Sequence, residues 1–180
     1  MQLNDKRIIV TGGFGALGAT VVQAGLQAGA QVAAIDRADA PPADVDIDKA
    51  HCFGGVDLSD EVAAQKAIKE AVRALGGLDA LVNIAGTFRW ETLAEGKLET
   101  WDFLYRVNLR TAVAASQAAL AHLQAGGRIV NVGALSAVKA DAGVGAYSAS
   151  KSGVMRFTEA LAEELKERDI TVNAVLPSII

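Results

Sequence analysis

The sequence predicts an α/β fold, a doubly wound parallel sheet in three α/β/α layers. Three observations carry that reading. Short apolar runs (RIIVT, QVAAID, LDALVNI, RIVNV and ITVNAVL) alternate with segments of helical period. The runs are apolar throughout rather than at every second residue, as strands buried on both faces must be. A glycine-rich turn, TGGFGALG at Thr11–Gly18, joins the first run to the first helix.

The elements follow in order. Arg7–Thr11 reads as the first buried strand, and Gly15 to about Ala28 as a helix rich in small residues. Gln31–Asp36 is the second strand. Asp39–Asp48 is acidic and carries prolines, so it reads as a solvated connection without chemistry. His51–Asp57 makes a short third strand. Ser59 is expected to cap the next helix, with Asp60 and Glu61 favourably placed against its dipole. Ala64, Ile68, Val72 and Leu75 form the apolar stripe of that helix, and Gly76-Gly77 stop it. Leu78–Ile84 is the fourth strand. A long helical pattern covers about Trp101 to Leu123, and Arg128–Val132 follows Gly126-Gly127 as the fifth strand. A helix from near Gly145 to Glu167 turns Val154, Phe157, Leu161 and Leu165 inward, and Ile170–Leu176 is the sixth strand. With neither a repeat nor a linker, residues 1–180 read as one domain.

Composition narrows the functional classes. Apolar residues make up 51% and charged residues 21%, enough for a packed core. The formal charge is −4 with no basic stripe, which argues against a nucleic-acid surface. The start, MQLNDKRIIVTGG, lacks the features of a signal peptide. Ser116, Gln117 and His122 interrupt the best candidate for a membrane span. Neither nucleic acid nor membrane is expected as a partner, and the cytoplasm is the expected location. Cys52 is the lone cysteine; it cannot form an internal disulfide and reads as a small buried hydrophobe. His51 and His122 lack metal-ligand spacing, so no metal site is expected.

The chemistry concentrates at two places. The turn TGGFGALG follows a strand and opens a helix, the context a dinucleotide-binding turn requires. Gly12 permits the tight turn, Gly15 or Ala16 lets the backbone approach a pyrophosphate, and Gly18 allows close packing of helix on strand. The helix N-terminus then attracts the phosphates. Asp36, at the end of the second strand, stands where a carboxylate would bond the adenosine ribose and repel a 2′-phosphate. NAD(H) is therefore favoured, with NADP(H) kept open by the neighbouring Arg37. Asp57-Leu58 is placed to hold the adenine edge, and Asn83-Ile84-Ala85-Gly86 to line the adenosine and nicotinamide side. The second place is YSASK, where Tyr147 and Lys151 share a helical face four residues apart. An ammonium beside a phenol favours the phenolate, and a phenol tuned towards neutrality can act as general acid or base.

With these residues assembled, the chain resembles the short-chain dehydrogenase/reductase family in its compact single-domain branch, along essentially its whole length. TGGFGALG (Thr11, Gly12, Gly15, Ala16, Leu17, Gly18) matches the family's glycine turn, Asp57-Leu58 its adenine contact, and NIAG its Asn-Asn-Ala-Gly stretch with one change. YSASK matches the catalytic pair, and Pro177 the proline after the sixth strand. The resemblance implies a Rossmann-type sheet with Tyr147 as general acid or base. It implies that Lys151 holds the nicotinamide ribose and lowers the tyrosine pKa, and that Asn108 supports a water-linked proton relay. It also implies a homodimer or homotetramer through the helices around 101–123 and 145–167, where the small residues of Thr111–Ala119 would permit close packing.

Two departures from the family pattern stand out. The serine that usually bonds the substrate oxygen is replaced by Ala134, with Ser136 two residues on as the nearest substitute. Alanine in that slot is similar to the dihydropteridine-reductase type, whose substrate is a quinonoid ring. The chain also stops at PSII, before the helix and strand that usually complete the family's sheet, and so is expected to be C-terminally truncated with an exposed sheet edge. The segment after NIAG borders the pocket, which opens a substrate-contacting role to Phe88, Arg89 or Trp90. Trp90, Trp101, Phe103 and Tyr105 otherwise read as packing around the long helix. The function expected is hydride transfer between a nicotinamide and a small alcohol, ketone or related unsaturated ring. The alternative is a catalytically weak or inactive nucleotide-binding module with a regulatory or vestigial role.

Overall fold

The computed structural model describes residues 2–178. Six strands form one sheet in the order β3-β2-β1-β4-β5-β6, and every neighbouring pair is parallel. In chain order these are β1 (Arg7–Thr11), α1 (Ala16–Gln27), β2 (Gln31–Ile35), β3 (His51–Phe53) and α2 (Glu61–Leu75). Next come β4 (Leu78–Asn83), α3 (Leu98–Tyr105), α4 (Thr111–Ala119), β5 (Leu123–Val132), α5 (Gly145–Leu165) and β6 (Thr171–Val175). The order reverses between β1 and β4, so the C-terminal ends of those strands border the crevice where such sheets take ligands.

Alternate residues of each strand feed two separate cores. Ile9, Ala33, Leu81, Ile129 and Val172 face one side, packed with Ala64 and Ile68 of α2, Ala115 of α4 and Leu161 of α5. Ile8, Val10, Val32 and Ala34 face the other, packed with Val22 of α1. Both faces are apolar, which is why the strands show no alternation in the sequence. The second face is covered over β1 and β2 and, at Ala80, Val82 and Ile84, partly over β4. Towards β6, Arg128, Thr171, Asn173 and Val175 are exposed.

Several local expectations need correction. Asp60, not Ser59, caps α2: its carboxylate accepts the Ala63 N–H at 2.8 Å, while the Ser59 hydroxyl donates to Asp57. The long helix is two helices joined by a π-helical segment, Arg106–Arg110, and it ends at Ala119. β5 begins earlier than expected, at Leu123, because Gly126 (φ +84°) turns a bulge inside the strand instead of ending a helix. Cys52 is exposed rather than buried, since β3 lies at the sheet edge. Trp90 and Tyr105 are 61% and 54% exposed, so neither is core packing. Ile179 and Ile180 of the apolar tail lie outside the described residues.

Candidate active site

The glycine turn is shaped by close approach. Gly12 has φ +68°, and a Cβ there would stand 2.8 Å from the backbone of Ala85 at the end of β4. A Cβ on Gly18 would collide with the Gly12 carbonyl, so α1 can pack on the turn only with glycine at that position. Gly15 meets only the Gly12 carbonyl oxygen, at an ordinary 3.6 Å, and lines the cavity. The turn is thus a cradle of bare backbone at a helix N-terminus, and it fits the pyrophosphate of a dinucleotide.

A cavity of about 550 Å³ opens over this turn. Of the residues expected to bind a nucleotide, Gly12, Gly15, Ala16, Leu17, Gly18, Asp36, Arg37, Asp57, Leu58, Ala85 and Gly86 line it. Thr11 and Asn83 do not; they build the walls. The Thr11 hydroxyl accepts the N–H groups of Ile84 and Ala85 at 3.1 and 3.3 Å, tying the end of β4 to the turn. Asn83 is buried and donates to Ser116 and Asn131, and Asn131 donates in turn to Thr158 of α5. Tyr147, Lys151 and Pro177 also lie outside the lining. Lys151 and Tyr147 belong to the ground just beyond its Gly86–Thr87 end, beside Gly86 and Phe88. The Pro177 carbonyl accepts the Leu135 N–H at 2.8 Å, holding the segment after β6 against the turn after β5.

Some lining residues left no local signal. Ala40 and Pro42 belong to the stretch expected to be a wet loop, yet they line the cavity, and Ile47 of the same stretch is 1% exposed. Phe103, Arg106 and Thr111 reach it from the far end of α3, the π-helical segment and α4, brought there by packing across the sheet. The proline pair Pro41-Pro42 was the only hint of order in that loop.

Two carboxylates, Asp36 and Asp57, line one end of the cavity. Asp36 accepts the Phe14 and Ala38 N–H groups, each at 3.0 Å, so it braces the glycine turn against the end of β2. Asp57 is held below the usual carboxylate range by the Ser59 hydroxyl at 2.6 Å, aided by Arg106 and Arg37.

At the other end, Asn108, Lys151 and Gly86 converge. Asn108 is 1% exposed and sits in the π-helical segment, a deviation often found at functional sites. It accepts the Thr87 N–H at 2.7 Å and donates to the Thr87 carbonyl at 3.0 Å and to the Ser150 hydroxyl at 2.9 Å. A Cβ built on Gly86 would stand 2.9 Å from Asn108 Oδ1 and 3.3 Å from Lys151 Nζ. Lys151 is 5% exposed and donates to the Val132 carbonyl at 2.8 Å; burial pulls its ammonium down to about 8. Tyr147 is half-buried, and burial pushes its phenol up from the ordinary value. This reverses the direction expected from the pair. Desolvation of the phenol dominates, and the Lys151 ammonium is anchored to the Val132 carbonyl. Ala134 is buried, and the Ser136 hydroxyl oxygen is buried with no hydrogen-bond partner, so neither presents a donor to the surface beside Tyr147.

Comparison with known proteins identifies the family. A family model described as short chain dehydrogenase matches residues 6–180. A probable galactose dehydrogenase of Rhizobium meliloti (strain 1021) is 34% identical over 187 residues, covering 99% of this chain and 73% of the relative. An acetoacetyl-CoA reductase of an Acinetobacter species is 34% identical over 186 residues, covering 96% and 73%. A short chain dehydrogenase from Burkholderia cenocepacia J2315, solved in complex with NADP, superposes with a TM-score of 0.88 at 39% identity, covering 98% of this chain and 75% of that one. Among the described residues no helix is long and apolar enough to cross a membrane, and no group of three or more His, Cys, Asp or Glu could hold a metal ion.

Proposed function

The chain belongs to the short-chain dehydrogenase/reductase family, and on that premise we propose that it interconverts a small alcohol and its ketone, or reduces a related unsaturated ring. The convergence of Asn108, Lys151 and Gly86 at the end of the nucleotide cavity carries the proposal. A bound nicotinamide would supply or accept the hydride. Tyr147 gives a proton to the substrate oxygen in the reducing direction and takes it back in the oxidising one. Its raised pKa suits the acid role at neutral pH. Lys151 would hold the nicotinamide ribose, and its ammonium, while it stays charged, would ease the phenol towards ionisation. Asn108 keeps Thr87 and Ser150 in place around the proton path.

For the cofactor, NAD(H) is favoured by the Asp36 carboxylate, which would face the ribose hydroxyls. Arg37 and Arg106 line the same cavity and leave NADP(H) as the competing choice. Exposed positions on α4 and α5, Val113 and Arg156 among them, would form a seam between two copies. A cytoplasmic location suits a chain of this kind.

The experiment is a fluorescence titration with NADH and NADPH, followed by turnover of a panel of ketones and quinonoid rings. Tyr147→Phe should retain cofactor binding and lose most turnover, by roughly 10²-fold or more. Undiminished activity in that variant refutes the assignment. The second reading, a nucleotide-binding module without turnover, is favoured by the missing donor at Ala134. It predicts cofactor binding with no reaction on any member of the panel.

A further inference from the structure

We propose that the surface in front of Tyr147 selects a carbonyl or secondary alcohol whose reacting carbon bears a flat apolar group, aryl or fused-ring, and that Phe88 is the side chain that recognises it. The proposal rests on the redox reading of the same site and deepens it. Along the chain, the lining of the nucleotide cavity runs through Ile84, Ala85, Gly86 and Thr87. The next residue is Phe88. Its ring meets Tyr147 edge to face, with centroids 5.0 Å apart and planes at 82°. Even so, Phe88 remains 55% exposed, so much of an aromatic surface lies unspent beside the phenol that would handle the substrate oxygen.

That surface is rigidly mounted. The backbone of Thr87 is clasped from both sides by Asn108, which fixes the base from which Phe88 projects. Two residues on, Trp90 donates from Nε1 to the Ala142 carbonyl at 3.1 Å, and the Glu91 N–H reaches the Gly143 carbonyl at 2.7 Å. Gly143 has φ +79°, and a Cβ there would collide with the Trp90 ring, so the indole lies directly on bare backbone. The segment carrying the two aromatics is thereby stapled to the segment leading into Tyr147. A preorganised aromatic wall loses little entropy when a ring settles on it.

Polar recognition is sparse on the same ground. Arg89, between the two aromatics, holds its guanidinium 4.4 Å from the centre of the Phe103 ring. Ala134 offers no donor, the Ser136 hydroxyl is buried, and Leu135 beside them is 47% exposed. A polyol or sugar would leave water for a surface with few partners for its hydroxyls, and each hydroxyl left unmet weakens its binding. A flat ring gains from edge-to-face contact and from burying apolar area.

The test is binding, measured apart from turnover. The affinities of 2-acetylnaphthalene, butan-2-one and galactose are measured by ligand-observed NMR, the ketones with the protein in excess NAD⁺ and galactose with it in excess NADH, so that none is turned over. The expected result is that 2-acetylnaphthalene binds at least tenfold more tightly than butan-2-one, with galactose weakest. Phe88→Ala should erase roughly tenfold of that preference, and Phe88→Tyr should retain it. Thermal melting confirms that the variants fold, which the exposure of Phe88 leads one to expect. Equal affinities for the two ketones, tighter binding of galactose, or an unchanged preference in Phe88→Ala would each overturn the proposal. Failure of the redox reading looks different: the ring preference persists while no ketone is reduced with NADH or NADPH.

Discussion

Replacing Gly86 with alanine adds one carbon at the point where the two ends of the site meet. Gly86 has no positive φ, so the change tests space alone. The new methyl would stand 2.9 Å from Asn108 Oδ1 and 3.3 Å from Lys151 Nζ, against the ~3.5 Å that uncharged contact prefers. About half an ångström must be found. Asn108 cannot easily provide it, because its amide is held by both backbone groups of Thr87 and by Ser150. Lys151 is the softer neighbour, and moving it lengthens its 2.8 Å bond to the Val132 carbonyl. Overpacking costs about 1–3 kcal/mol, and a weakened buried hydrogen bond falls in the same range, so a stability loss of roughly 2 kcal/mol is expected. Turnover should fall further, by roughly 10²-fold, since displacement of a positioning group by even ~1 Å has that effect. Urea denaturation reads the first quantity and steady-state reduction of the best ketone the second. Stability within ~0.5 kcal/mol of the parent, together with turnover within ~2-fold, would refute the convergence of Asn108 and Lys151 on Gly86.

Two further outcomes follow from the same geometry. Ala134→Ser restores a donor in the usual slot and should raise turnover of simple ketones by roughly tenfold, part of the 10²–10³ that such a donor can supply; unchanged rates would remove the missing donor as an explanation of weak activity. Lys151→Met tests the buried ammonium through pH. The folded pKa of Lys151, about 8, lies below its ordinary 10.5, so the folded state releases the proton first. Stability of the parent therefore rises between those two values, where only the unfolded state holds the proton. From pH 7 to pH 10 the stability gap should shift in the parent's favour by roughly 2 kcal/mol, read from urea midpoints; a gap independent of pH would show that Lys151 is not desolvated.

Much of the fold is a matter of local rules. The central strands β1 and β2 are apolar at nearly every position because both faces of the sheet are buried there, and that pattern survives in the sequence without knowledge of any partner. Gly18 answers to a steric limit within a few residues, the Gly12 carbonyl, and Gly12 to its own positive φ, so the turn and the helix it opens could be read directly, although the approach of Ala85 to Gly12 is tertiary. Helix α2 shows its apolar stripe for the same reason, although the choice of cap between Ser59 and Asp60 depended on where the Asp57 carboxylate lay.

What the chain alone could not disclose depends on distances between elements far apart in sequence. Ala40, Pro42 and Arg106 reach the nucleotide cavity only because the sheet order brings their segments over it. The spacing of Tyr147 and Lys151 announced a shared helical face, but the direction of the phenol's shift was decided by burial, which is not visible in YSASK. The exposed ring of Phe88 is the same case. The order of residue types determined that a nucleotide cradle and a tyrosine–lysine pair exist, since each is made by neighbours. Tertiary structure decided how charge is tuned between them and which surface awaits a substrate, because desolvation and contact are properties of the packed molecule.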